Sequence, residues 1–161
     1  MKYTAAQFIQ EVLIEPIKDI IEKHPFHAFF LLCPIVEILG KCLNKDSDWH
    51  FPNHSKKDFN NALKTLTPLK KYSLLSADLY SIVRCGLLHA GIPKEGIKLC
   101  PNNNDLSNNT IGCKELYYDI KCAWEEIKNN DLAKKEMKTE LFEVYDSISG
   151  GTQTSIHTQL S

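Results

Sequence analysis

A chain of 161 residues, 43% hydrophobic and 24% charged, is one domain's worth of ordinary globular sequence. It is long enough to bury a core without covalent staples. Lys and Arg total 19 against 20 Asp and Glu, so the net charge is −1. That excludes a broadly basic nucleic-acid coat and an acidic disordered chain.

The N-terminus, Met1 to Gln7, lacks the charged start, apolar core and cleavage site of a secretory signal. Over Ala5–His24, Ile9, Leu13, Ile17, Ile20 and Ile21 recur at helical spacing. Pro16 either kinks this helix or divides it. Pro25 ends it, because the residue before a proline is pushed out of the helical region. Phe26–Leu43 is apolar on nearly every face, the pattern of a central helix. Glu37 is its only acid and requires a buried partner. The longest apolar stretch, Phe29–Leu39, contains Pro34 and Glu37 and falls short of the roughly 20 residues of a membrane span. The reading is a soluble, cytoplasmic protein with no membrane partner.

Asn44–Asn53 has loop composition. Ser55 followed by Asp58 reads as a helix N-cap with an acid three residues on, and Phe59, Ala62, Leu63 and Leu66 mark the helix. Pro68 ends it or opens the next. Leu69–His89 reads as one long helix through Leu74, Leu75, Leu79, Ile82, Val83, Leu87 and Leu88, with Gly91 as its stop. Ile92–Lys114, rich in Asn, Pro and Gly, is a long loop that admits a small β-hairpin pairing Ile97–Cys100 with Thr110–Cys113. Leu116, Ile120, Ala123, Trp124 and Ile127 give one further helix face. Met137, Leu141, Val144, Tyr145 and Ile148 give another, which Gly150-Gly151 ends. The expected architecture is all-α: a bundle of five or six helices in a single domain over residues 1–150. The polar tail, 151–161, either adds a strand or is disordered.

Six cysteines stand at Cys33, Cys42, Cys85, Cys100, Cys113 and Cys122, with no Cys-x-x-Cys pair. With no export signal, and with Cys33, Cys85 and Cys122 in apolar helical patterns, they read as free thiols rather than disulfides or zinc ligands. His50 and His54 are separated by Pro52, and His24 and His27 flank Pro25, so neither pair marks a helical metal face. No metal and no cofactor is expected, and no Gly-rich phosphate loop is present. Trp49, His50 and Phe51 either stack on a base or tuck over the core.

The informative segment is Tyr80-Ser81-Ile82-Val83-Arg84-Cys85-Gly86-Leu87-Leu88-His89. Arg84 is always charged and cannot be buried unpaired. His89 exchanges a proton near neutral pH. A fixed cation and an imidazole are the parts of metal-free phosphoryl-transfer chemistry. On a regular helix five residues place them about 140° apart, so one helix does not aim both at one point. A composite site across a dimer, or a distortion at Gly86, would resolve this. Asp78, Ile82, Cys85 and His89 share one stripe, which also permits a Cys85–His89 thiolate–imidazole pair. The purely structural alternative pairs Arg84 with Glu37 and leaves His89 on the helix dipole.

Arg84-Cys85-Gly86-Leu87-Leu88-His89 resembles the Arg-x(4–6)-His motif of the HEPN family, with four intervening residues late in a core helix. The resemblance covers about residues 5–148. It implies an all-α fold, frequent homodimers, and in many members metal-independent ribonuclease activity, including toxins with antitoxin-type partners. Other members are non-catalytic interaction modules. By that resemblance His89 is the general acid or base at the ribose 2′-hydroxyl. Arg84 stabilises the phosphate, and Glu37, Cys85, Tyr80 and Asp78 support them. The chain departs from the family's nucleases at Cys85, where a polar residue is frequent, and from a toxin subgroup at Gly91, where that subgroup has tyrosine. Lys56-Lys57, Lys70-Lys71 and Lys134-Lys135 are small basic clusters, and one lying beside Arg84 would track a phosphate backbone.

Overall fold

The computed structural model describes residues 4–44, 54–75, 78–94 and 96–134. The helix expected around Met137–Ile148, the tail from 151, and Trp49, His50 and Phe51 lie outside the described residues.

Thr4 opens the first helix with a reciprocal capping box: its hydroxyl accepts from Gln7 N, and its own N–H donates to Gln7 Oε1. α1 (Ala5–Gln7) continues as a wider, π-helical segment over Phe8–Ile14. Pro16, which cannot donate a backbone bond, divides the run, and α2 is Ile17–Lys23. Pro25 occupies the first turn of α3 (Pro25–Cys42), where its missing N–H costs nothing.

α3 is the central helix, packed by α2, by α4 (Ser55–Thr65) and by α6 (Cys113–Ile127). It is less uniformly enclosed than the sequence suggests. Ala28, Phe29, Leu32, Ile35, Val36 and Leu39 are buried, whereas Phe26 and Leu31 are 41% and 43% exposed. The stretch is also longer than its apolar heart: at 18 residues α3 is long and apolar enough to cross a membrane, and half of it is buried inside the bundle.

α4 begins one residue earlier than expected. His54 holds the cap position without a side-chain cap bond, and Ser55 is the first helical residue. That register turns Asp58 inward, where it is 5% exposed near Lys41 of α3. Its burial pushes the carboxyl up from its ordinary range.

The single long helix expected over Leu69–His89 is three elements. A 3₁₀ helix runs Thr67–Leu74, and Leu75 is extended. At three residues per turn, Leu69, Tyr72 and Leu75 share the buried face, and Leu74 is left 84% exposed. Beyond residues 76–77, which are not described, the chain is π-helical over Tyr80–Arg84 and then α-helical in α5 (Cys85–Ala90). Gly91 stops α5 in the left-handed region, φ 74°.

β1 (Lys98–Cys100) and β2 (Thr110–Gly112) fall where the hairpin was expected, but they pair in parallel, Leu99 opposite Ile111. The antiparallel turn lies inside their connection, where Asp105 and Thr110 exchange both backbone bonds. The Asp105 carboxylate closes that turn by accepting from Ser107 and Asn108 at 2.7 and 2.6 Å. The reversal is completed locally, so the chain enters β2 in the same direction as β1. α7 (Asp131–Lys134) returns against α1. The result is a mostly helical bundle with a two-stranded appendage.

Candidate functional site

The segment Tyr80–His89 packs against α3 through its charged groups. Arg84 Nε lies 3.2 Å and Nη2 3.1 Å from the same oxygen, Oε2 of Glu37. Both side chains are mostly enclosed, 19% and 16% exposed. The guanidinium also lies over the Tyr80 ring, 5.2 Å from its centroid, in cation–π geometry. Tyr80 in turn meets Phe59 of α4 edge-on at 5.7 Å. Two lone charges in apolar helices have thus found each other, as each required.

Asp78 begins the segment. Its carboxylate accepts from Ser81 N at 3.2 Å and from Ser81 Oγ at 3.0 Å, an N-cap arrangement, and it pairs with Lys56 of α4. The Lys56 ammonium, helped by Ser81, holds the Asp78 carboxyl below its usual range. Lys56 also lies within electrostatic reach of Cys85 and Tyr80, so one of the basic clusters does stand beside the motif.

The irregularity in the motif helix is not at Gly86. It is the π-helical turn before it, where Cys85 N reaches back to Tyr80 O. Ile82 O in that turn accepts from Lys94 N at 3.0 Å. Gly86 sits in regular α5, and its missing side chain is what admits the following loop. A Cβ there would lie 2.8 Å from Ile92 O and 2.9 Å from Lys94 N. Because the helix is regular from Cys85 onward, the separation of Arg84 and His89 stays near 140°. His89 is exposed and makes no side-chain hydrogen bond among the described residues. Cys85 is half-buried.

Of the six expected site residues, Arg84, Glu37 and Tyr80 form one cluster, Asp78 anchors the helix start beside it, and Cys85 borders it. His89 stands apart. The described cysteines are free thiols, with burial pushing Cys33, Cys42 and Cys113 up to about 12. His24 and His27 are exposed, their rings 5.6 Å apart. No group of three or more metal-ligating side chains comes together among the described residues.

A second polar cluster was not legible in the sequence. The Tyr72 hydroxyl donates to Asp119 Oδ2 at 2.6 Å and accepts from Asn104 Nδ2 at 2.8 Å. Asn104 N donates to Glu115 Oε2, and Asn104 Oδ1 accepts from Gly112 N, each at 2.7 Å. Lys71 bridges Glu115 and Asp119 at 2.9 and 2.8 Å. The cluster ties the 3₁₀ helix, the long loop and α6 together. The Asn102–Asp105 run marked a loop in the sequence but carried no sign of these distant partners.

No protein family, curated protein or solved structure matches this chain.

Proposed function

We propose that the chain is a HEPN-like domain that binds RNA or a nucleotide at Arg84 and His89, acts as a homodimer, and cleaves RNA without a metal. The observation that carries this reading is the preset arginine. Glu37 engages two of its five N–H donors and Tyr80 supports its plane, while His89 is solvent-accessible further along the same helix. A π-helical turn at this point agrees with a functional role, since such turns recur at sites.

The chemistry asked of these residues is simple. His89 takes the ribose 2′-hydroxyl proton, the freed oxygen attacks the adjacent phosphorus, and the bond to the 5′-oxygen breaks as the imidazolium so formed returns its proton to that oxygen, leaving a 2′,3′-cyclic phosphate. Arg84 offsets the charge of the pentavalent phosphate. The angle between Arg84 and His89 favours a composite site, with one residue from each protomer. Purified protein incubated with a mixed RNA pool in EDTA tests this. Cleavage that disappears in His89→Ala supports the reading, and absence of cleavage by the wild-type chain under all conditions tried refutes the catalytic part.

A second reading has its own support in the enclosure of the Arg84–Glu37 pair. In it the domain is a non-catalytic interaction module and the pair is a strut between α3 and the motif helix. The mutant cycle described in the Discussion separates the two.

A further inference from the structure

Next to the motif, the exposed and half-buried positions of α4 that line two surface depressions are cations and neutral amides. Lys57, Asn60, Asn61 and Lys64 line an open depression of about 450 Å³, together with Asn44 from the end of α3. A second depression, about 190 Å³, lies on the other side of Asn60 and Lys64 and reaches Asp78. The one acid on α4, Asp58, is turned inward beneath the first depression. Arg84 is engaged by Glu37 and Lys56 by Asp78, and Lys71 is held in the other cluster by Glu115 and Asp119. Lys57 and Lys64, by contrast, have no ion-pair partner among the described residues.

We infer that this face of α4 is a backbone track for single-stranded RNA, leading to the Arg84–His89 segment. The inference rests on the proposed function and adds where the strand lies. Seven residues apart, Lys57 and Lys64 fall within about 20° of one another around the helix and about 10 Å apart along it. At a rise of about 3.4 Å per nucleotide in a stacked strand, that distance spans about three phosphates. Ammonium groups meet phosphates as point charges. The amides of Asn44, Asn60 and Asn61 each offer donors and acceptors suited to base edges and 2′-hydroxyls. An acidic peptide would offer the lysines carboxylates in place of phosphates, and the polyglutamate arm of the test separates the two. The second depression, lined by Asn60, Lys64 and Asp78, joins the track to the start of the motif segment, where Lys56 of α4 pairs with Asp78.

The test uses the full chain and a fluorescent single-stranded RNA of mixed sequence. Binding is measured across a salt series for wild type, the double variant Lys57→Gln/Lys64→Gln, and His89→Ala. Both lysines are exposed, so the double variant is expected to melt with the wild type, which calorimetry checks. The inference predicts that the double variant binds about tenfold or more weakly, with the salt slope shallower by about 1.4. His89→Ala should lose cleavage while keeping the lysine-dependent salt slope of the wild type. Unchanged affinity in the double variant overturns the track, even if His89-dependent cleavage is intact. Lysine-dependent binding with no role for His89 supports the track and removes the catalytic reading instead. Failure of the wild type to bind RNA, or equally tight binding of a polyglutamate of matched charge, also overturns it.

Discussion

Arg84 and Glu37 meet across the interface between α3 and the motif helix, with two guanidinium nitrogens 3.1 and 3.2 Å from one carboxylate oxygen. Glu37 is the one acid of α3, and Arg84 the one arginine of the chain. Removing one leaves the other enclosed and uncompensated. Arg84→Ala and Glu37→Ala are each expected to cost about 3 kcal/mol. The double variant should cost clearly less than the sum, because the second substitution removes a charge already stranded. Urea denaturation of the four proteins measures the coupling, and small additive effects would remove the strut.

Gly86 is predicted to tolerate no side chain. Its Cβ position is occupied by the backbone at Ile92 and Lys94, not by a flexible side chain. Gly86→Ala must push that loop away and break the bond from Lys94 N to Ile82 O. A loss of about 1–3 kcal/mol is expected, read from the denaturation midpoint.

Tyr72 tests the second cluster. Its ring is buried and its hydroxyl serves both Asp119 and Asn104. Tyr72→Phe retains the ring and leaves both partners short of a bond, at a cost of about 1–3 kcal/mol. Hydrogen exchange should quicken at Gly112 N, whose acceptor is Asn104.

Acid should loosen the same cluster. The backbone N–H of Asn104, and then Lys71, hold the Glu115 carboxyl below its ordinary range. A carboxyl depressed in the folded state contributes stability above its unfolded pKa, about 4.3 for glutamate. That contribution falls away as pH drops through the lower folded value. Glu115→Gln should therefore be less stable than wild type at neutral pH, and the gap should narrow below about pH 4. Melting curves at stepped pH decide it, and a gap that widens in acid contradicts the assignment.

His89 is exposed, so His89→Ala should move stability by no more than about 0.5 kcal/mol. A larger loss would mean that the imidazole has structural partners, and would favour the interaction-module reading over the site.

The helical bundle and its central helix were legible because apolar periodicity is local. Each of Ile9, Phe29, Leu63 and Trp124 follows from spacing within its own segment, and each is buried. The need of Glu37 and Arg84 for a partner was legible too, since a lone charge in an apolar helix imposes that requirement wherever the helix lies. Three features were not legible. The break at Leu75 depends on a 3₁₀ turn whose face differs from that of an α-helix. The parallel pairing of β1 and β2 depends on Asp105 closing its own turn. The cluster around Tyr72 joins residues up to 47 positions apart.

The sequence by itself determined the helices around Ala28–Leu39, Phe59–Leu63 and Leu116–Ile127, which charges need compensation and where one arginine and one histidine share a helix end. Only the tertiary structure decided that Glu37 is the partner, that His89 faces solvent, and that Lys57 and Lys64 have no ion-pair partner among the described residues. The physical reason is range. Periodicity and caps act over a few residues of one chain segment, whereas an ion pair or an open polar face is a property of which helices come to lie side by side.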